Sequence, residues 1–262
     1  EHIKAIAFPS ILESLQRGID VIGKGKRTSF LTYGLTGSNN SSSIWKDRHI
    51  LLEYQHRMNE ELSEIPRKCV YSEIGALNDA NTIFRRQLNR DFTFLENENL
   101  PVLGWVDVKG IFKDRKNDDE VRAIMKYLER FNRWSQNHSK NNGNKWEIAI
   151  LTFYVKQELT ISSHLQRWTG LIDNKTRFYK DNLQIIVGTI DRFQGREADI
   201  VLLSPRNIDK IGFLDSLNRV NVALTRARLH YVIFGNRAFF IGHKHDVEIW
   251  REVAKKARII DL

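Results

Sequence analysis

An α/β fold built on a mostly parallel sheet, with helices on both faces, is predicted by two features of the sequence. Apolar runs rich in β-branched residues alternate along the chain with segments of helical periodicity, which is the pattern of repeated strand–helix units. The runs are apolar at nearly every position, as expected of strands buried on both faces. With 262 residues, of which 41% are apolar, the chain is long enough to bury a sizeable core, in one large domain or in one domain with an embedded subdomain.

The individual elements follow from short segments bounded by polar or turn-forming residues. Six strands are predicted, with the sequences HILLEY (49–54), PVLGWVDV (101–108), EIAILTFY (147–154), LQIIVGTI (183–190), DIVLLS (199–204) and LHYVIFGN (229–236). Helices are predicted where apolar residues recur at helical spacing, at 118–134, 156–168 and 217–228 and around Leu62 and Ile65. Two segments rich in Gly, Ser and Asn, 32–49 and 137–146, are predicted to be loops.

Charge and cysteine content narrow the functional classes. The 41 Lys and Arg residues exceed the 32 Asp and Glu residues and give a formal net charge of +9, which favours a polyanionic partner such as nucleic acid or nucleotide phosphates. The alternative is a surface that is merely basic.

The single cysteine, Cys69, excludes an internal disulfide framework. The first residues lack the layout of a secretory signal, and no apolar run approaches the length of a membrane span, so an intracellular protein without a membrane partner is expected.

Parallel sheets bind ligands beyond the carboxyl ends of their strands, so the loops after residues 54, 154 and 190 are the expected places for a site. The last of these loops contains DRFQGREAD (191–199). Gly195 permits a close backbone approach to a phosphate, and Glu197 can accept hydrogen bonds from ribose hydroxyls. The alternative is a solvated turn whose carboxylates pair with Arg192 and Arg196.

Two further segments place arginines near such loops. QHRM (55–58) puts Arg57 directly after a predicted strand, and LNRVNVALTRAR (217–228) combines an apolar stripe with Arg226. Arginine suits bidentate contact with phosphate and can neutralise the charge that develops in phosphoryl transfer. The alternative is a surface helix with ordinary arginine–carboxylate pairs.

In order and spacing, these segments together resemble the motifs of the second RecA-like domain of superfamily 1 helicases. The branch is the one that includes the nonsense-mediated decay helicase and the senataxin-type and Dna2-type enzymes. The matching segments are QHRM (55–58), TIDRFQGREADIVLLS (189–204), which resembles motif V, and GFLDSLNRVNVALTRARLHYVIFGN (212–236), which resembles motif VI. NDDEVRAI (117–124) and AILTFYVKQ (149–157) match more weakly. The resemblance implies a RecA-like, P-loop NTPase-type fold.

The resemblance also implies roles for individual residues. Arg57 and Arg226 match the two arginines that reach the γ-phosphate of ATP, with Arg226 as the arginine finger. The residues that match nucleotide-binding positions are Gly195, Glu197, Gln194, Gln55 and His56, where His56 replaces a tyrosine that can stack on the base. The residues that match positions facing single-stranded DNA or RNA are Thr189, Asp191, Thr152 and Tyr154.

Some parts of the family's ATP site are missing from this sequence. The P-loop lysine and the carboxylates that bind Mg²⁺ belong to the first RecA-like domain of the family. GIDVIGKG (18–25) only mimics a P-loop, because Gly25 stands where a hydroxyl that binds Mg²⁺ is required. His243 and His245 lack further ligands at zinc-like spacing, so no metal site is expected.

We therefore expect a fragment of a larger motor. Residues 1–48 would be a lead-in helix and loop that follow the missing first domain, and residues 49–262 would form the second RecA-like domain. ATP with Mg²⁺ would bind between the two domains, and this chain alone would be inactive. The alternative is a catalytically silent RecA-like domain that binds nucleic acid or another protein.

Overall fold

The computed structural model describes residues 53–72, 77–83, 92–95, 99–110, 114, 116–140, 143–172, 176–206, 212–242 and 248–262. The chain divides into two units, one of residues 1–53 and 72–76 and the other of residues 54–71 and 77–262, and all the elements below belong to the second. Several segments named above lie outside the described residues: GIDVIGKG, the loop at 32–49, most of HILLEY, and His243 and His245.

The strands form two sheets. The smaller is a parallel pair, β1 (Tyr54–Gln55) and β2 (Asn78–Asp79). The larger has seven strands, which are β3 (Leu103–Asp107), β4 (Trp146–Thr152), β5 (Arg177–Lys180), β6 (Leu183–Thr189), β7 (Ala198–Ser204), β8 (Ala227–Gly235) and β9 (Arg258–Ile259). Their spatial order is β5-β6-β4-β7-β8-β3-β9, and all neighbours are parallel except β5 with β6. The predicted mostly parallel sheet is confirmed.

Helices cover both faces of this sheet. They are α1 (Glu60–Cys69), α2 (Asp118–Ser135), α3 (Val155–Thr169), α4 (Leu217–Leu224), α5 (Arg237–Gly242) and α6 (Ile249–Lys256). Buried side chains of α2 and α3 join one core cluster, and those of α1, α4, α5 and α6 join the other. In the central strand β7, Ile200 and Leu202 face the first cluster, while Val201 and Leu203 face the second.

One predicted helix is shorter than expected, and the difference concerns a candidate site residue. The stretch 217–228 forms a helix only as far as Leu224. Ala227 already pairs with Ala198 as the first residue of β8, so strand pairing replaces the helical ladder although the apolar stripe continues. Arg226 therefore lies in the turn between α4 and β8 and not on a helix.

In the part of the chain that the structure describes, no helix is both long and apolar enough to cross a membrane.

Candidate functional site

Strands β7 and β8 begin side by side at one edge of the sheet, which we call the amino edge. Ala198 pairs with Ala227, and the N–H of Ala198 donates to the carbonyl of Arg226 at 3.0 Å. The residues directly before the two strands, Glu197 and Arg226, are therefore held close together. Arg57 reaches the same place from the turn between β1 and α1, and its Nε lies 2.5 Å from a carboxylate oxygen of Glu197.

Backbone carbonyls fix the guanidinium groups of both arginines. Arg57 Nη1 donates to the carbonyl of Thr225 at 3.0 Å. Arg226 Nε donates to the carbonyl of Val222 at 2.8 Å, and Arg226 Nη1 donates to that of Arg196 at 3.2 Å. Burial, and after it the positive charge of Arg57, lowers the pKa of Arg226 below its ordinary value. Two arginines so close together form a place suited to a polyanion such as a triphosphate.

An ion-pair network continues from Glu197 along the amino edge. Arg228 Nε lies 3.8 Å from Glu197 and 3.5 Å from Asp199, and its Nη2 bonds Glu147. Asp199 is only 2% exposed and accepts a hydrogen bond from Lys140 Nζ at 2.7 Å. The carboxylate of Glu197 is thus shared between two arginines, one of which is anchored to a buried charge.

The turn that carries Arg57 is built by the side chain of Gln55. Its Oε1 accepts hydrogen bonds from the N–H groups of Arg57 at 2.9 Å and Met58 at 2.8 Å. His56 is exposed between them, and its Nδ1 lies 3.3 Å from the hydroxyl of Thr82. Gln55 therefore orients Arg57, while the imidazole of His56 is at the surface.

Gly195 occupies a turn whose geometry requires glycine. The N–H of Arg196 donates to the carbonyl of Phe193 at 3.1 Å, which closes a four-residue turn. Gln194 has φ −56° and ψ 136°, and Gly195 has φ 82°, so this is a type II turn with glycine at its third position. Phe193 is buried, whereas Gln194 and Gly195 are exposed.

A second group of residues lies at the opposite edge, where β4, β6 and β7 end, which we call the carboxyl edge. Thr152 pairs in register with Thr189 on one side and with Ser204 on the other, and all three are buried. Tyr154 follows β4, and the centre of its ring lies 3.3 Å from the guanidinium carbon of Arg206, which follows β7. The carboxyl edge thus combines hydroxyl groups with an arginine–aromatic stack.

The charged groups of the loop between β6 and β7 pair with distant segments. Asp191 lies 3.2 Å from Arg219 of α4, and Arg192 Nη1 donates to Glu158 of α3 at 3.0 Å. Together with Glu197, these residues tie the loop to three other parts of the fold. The alternative of a self-contained solvated turn did not anticipate these partners.

Residues 37–238 match the model of the AAA domain family AAA_12. This chain belongs to that family. It is 32% identical over 196 residues, or 72% of this chain, to a Regulator of nonsense transcripts 1 homolog of Drosophila melanogaster. It is 30% identical over 212 residues, or 73% of this chain, to DNA polymerase alpha-associated DNA helicase A of Saccharomyces cerevisiae. The ATP-dependent helicase NAM7 of the same yeast is 29% identical over 192 residues, or 71% of this chain.

The matched regions cover 15%, 28% and 18% of these three relatives, so the chain spans less than a third of their length. The resemblance to the C-terminal domain of superfamily 1 helicases is confirmed by the family match and by these relatives.

This AAA domain brings its predicted site residues together in two places. The amino-edge group consists of Arg57, Arg226, Gly195, Glu197, Gln194, Gln55 and His56, and the group at or beside the carboxyl edge consists of Thr152, Thr189, Tyr154 and Asp191. Gly195 and Glu197 belong to the loop that begins after residue 190, where a site is expected, but they lie at the amino edge of the large sheet. The reason is that residues 190–197 run from the end of β6 to the start of β7 and carry Gly195 and Glu197 to the opposite edge.

Some residues of the AAA domain that complete these two groups were missed in the sequence. Asp199 and Arg228 extend the amino-edge network, while Glu120 and Arg206 belong to the carboxyl edge. Glu197 and Asp199 are two positions apart, as are Arg226 and Arg228, and Arg228 lies within 3.8 Å of both carboxylates. The available signal was a pair of carboxylates at the start of one predicted strand and a pair of arginines just before another. No local sequence pattern pointed to Arg206 and Glu120, because 86 positions separate them.

Proposed function

We propose that this AAA domain is the C-terminal motor domain of an ATP-dependent helicase or translocase. The amino-edge cluster of Arg57, Glu197 and Arg226 carries the proposal, because it gathers two cations and one carboxylate from three separate segments. Residues 49–262 would form the motor domain after a lead-in of residues 1–48. The relatives named ATP-dependent helicase or DNA helicase support this reading.

In this proposal ATP lies between the amino edge and an N-terminal RecA-like domain of the same protein. Arg57 and Arg226 neutralise the charge that develops on the transferred phosphoryl group, with Arg226 as the arginine finger. Glu197 accepts hydrogen bonds from the ribose, and the turn at Gly195 brings the backbone near the nucleotide. The N-terminal domain would hold Mg²⁺ and supply the P-loop contacts, and the ion would add to the neutralisation of the phosphate charge.

The carboxyl edge contacts single-stranded DNA or RNA in the same proposal. Tyr154 would line the path of the nucleic-acid strand, the buried Thr152 and Thr189 would lie behind that path, and Asp191 would lie beside it. Residues 190–197 run between the two edges. A shift of Glu197 at the amino edge would therefore move Asp191 beside the nucleic-acid strand. Closure of the inter-domain cleft would then step the domain along the strand.

The test compares ATP hydrolysis, stimulated by a single strand, in the full-length protein and its Arg226→Ala variant. We expect kcat to fall on the order of 10³-fold, as for the loss of an arginine finger. Arg167→Ala is the matched control, because Arg167 Nε also donates to a carbonyl four residues back, that of Ser163, but on the exposed surface of α3. This control should keep full activity.

An unchanged kcat in Arg226→Ala would contradict the motor. If strand binding persisted in that variant, the alternative of a catalytically silent binding domain would replace it.

A further inference from the structure

Arg206 and Tyr154 occupy equivalent positions on two neighbouring strands. Thr152 of β4 pairs with Ser204 of β7, and Tyr154 and Arg206 each lie two residues beyond this pair. The guanidinium carbon of Arg206 lies 3.3 Å from the centre of the Tyr154 ring, and both side chains are half-buried. A guanidinium over the face of an aromatic ring is attracted by the ring, and its fork of N–H donors matches the geometry of a phosphate.

The backbone of Arg206 is held in a conformation that arginine rarely adopts. Its φ is 68°, in the left-handed region, where the Cβ of a residue with a side chain crowds the following carbonyl oxygen. The N–H of Arg206 donates at 2.9 Å to a carboxylate oxygen of Glu120, a residue that is fully buried. This hydrogen bond directs the chain after β7 so that the arginine turns back over Tyr154.

Glu120 is itself fixed by a buried polar network. The hydroxyl of Ser204 donates to its Oε2 at 2.5 Å, and Asn117 Nδ2 donates to its Oε1 at 3.0 Å. Gln157 Nε2 donates to the hydroxyl of Ser204 at 2.9 Å. A buried polar network of this kind holds its members in one arrangement, so the position of the Arg206 backbone is set by the core and not by the surface.

We propose that the Arg206–Tyr154 stack binds a phosphate of the single strand and that Glu120 is the positioning residue that holds Arg206 in place. This proposal rests on the proposed function, because it requires the strand to pass along the carboxyl edge. It adds a phosphate-binding side chain that motif resemblance did not assign. The cation stacked on Tyr154 gives the strand a fixed contact next to Thr152 and Thr189.

The first experiment measures binding of a fluorescent oligothymidylate to the full-length protein without ATP, over a range of salt concentrations. Arg206→Ala should weaken binding about tenfold and reduce the slope of log affinity against log salt by about 0.7, the value for one phosphate contact on a single strand. Arg206→Lys should keep the slope but bind more weakly than the natural protein, because an ammonium is a point charge without a stacking plane.

The matched control is Lys180→Ala. Lys180 Nζ also lies over an aromatic ring, 6.0 Å from the centre of Trp168, but it ends β5 at the amino edge. Its removal deletes one positive charge and one ring contact, and it should leave the salt slope unchanged.

The second experiment tests Glu120 through a double-mutant cycle. Glu120→Ala should weaken strand binding in the natural background and add nothing in the Arg206→Ala background, because its effect passes through Arg206. Glu120→Gln retains an acceptor oxygen and should restore binding. Thermal unfolding of each variant identifies those that fold, and equal added losses in both backgrounds would assign Glu120 a merely structural role.

Unchanged affinity and unchanged salt slope in folded Arg206→Ala would overturn the proposal. That result would leave the proposed function intact, since the latter is tested by kcat of Arg226→Ala. Conversely, failure of the arginine-finger test would not alter the strand-binding measurement, which uses no ATP.

Discussion

At the scale of single residues, Glu197 forms an ion pair that contributes little to folding. Its ion pair with Arg57 spans 2.5 Å, but the two side chains are 38% and 31% exposed. Pairs that are this accessible to water contribute about 1 kcal/mol at most to folding. In the proposed nucleotide site, the position of the carboxylate between Arg57 and Arg228 would therefore matter more for ligand binding than for stability.

Glu197→Gln tests this separation of roles. We expect the temperature of unfolding to change little, while KM for ATP rises about tenfold because a charged acceptor for the ribose hydroxyls is lost. With deoxy-ATP, which lacks one of those hydroxyls, the difference in KM between Glu197→Gln and the natural protein should be smaller. The measurement is steady-state ATP hydrolysis of the full-length protein with both nucleotides.

Glu252→Gln serves as the control for Glu197→Gln, because Glu252 forms a comparable exposed pair with Lys68 at 2.6 Å. It should leave KM unchanged. Equal KM values for Glu197→Gln and the natural protein would show that the carboxylate does not contact the nucleotide.

At the scale of elements, the sequence predicts the strands that are buried on both faces of the sheet. Strands β3, β4, β6, β7 and β8 were predicted because almost every position is apolar. Strands β5 and β9 were missed, since they are short edge strands with exposed residues and resemble loops in the sequence. Helix α4 was predicted too long because its apolar stripe continues into β8.

The sequence predicted the segments that form the candidate site, but not the contacts between them. The contact of Arg57 with Glu197 joins residues 140 positions apart, and no local pattern indicates such a pair. The order of the motifs identified the candidate site residues. Their division between the amino edge and the carboxyl edge depends on the direction in which residues 190–197 cross the sheet. That direction follows from tertiary packing of Ile190 and Phe193 in the core.

The first turn of α2 gives a prediction about pH. Burial raises the pKa of Glu120 to about 8, although hydrogen bonds from Ser204 and from the Arg206 N–H lower it. Between the ordinary pKa of the unfolded chain, 4.5, and about 8, the folded protein holds a proton that the unfolded chain has released. Its contribution to stability is therefore complete below pH 4.5 and decreases as the pH rises towards 8, by at most about 1.4 kcal/mol per pH unit.

Denaturant unfolding of the natural protein and of Glu120→Gln, measured between pH 5 and 8, checks this prediction. The difference in stability between the two proteins should shrink or reverse with rising pH, because the neutral amide does not titrate. Glu129→Gln, on the exposed side of the same helix, should run parallel to the natural protein. A constant difference between Glu120→Gln and the natural protein would refute the proton uptake.

At the scale of the whole molecule, the two edges divide the chemistry of the domain. Arg57 and Arg226, which would face the nucleotide in the proposed motor, lie where β7 and β8 begin, and the hydroxyls of Thr152 and Thr189 lie where β4 and β6 end. The sheet between them is packed on both faces, so it transmits displacement as a rigid body. The segment 190–197 and helix α4, which are joined by the Asp191–Arg219 pair, connect the two edges directly.

The net charge of +9 predicts how the affinity of the whole chain for single-stranded nucleic acid depends on salt. Each neutralised phosphate releases counterions, so the affinity for a single strand should fall steeply with salt. We expect a fourfold rise in salt to weaken binding about tenfold, which corresponds to roughly two or three phosphate contacts. Fluorescence anisotropy with an oligothymidylate measures the slope, and an uncharged methylphosphonate analogue of the same strand is the control, which should bind weakly at every salt concentration. An affinity that stays flat for the charged strand would mean that the basic surface does not meet the phosphate backbone.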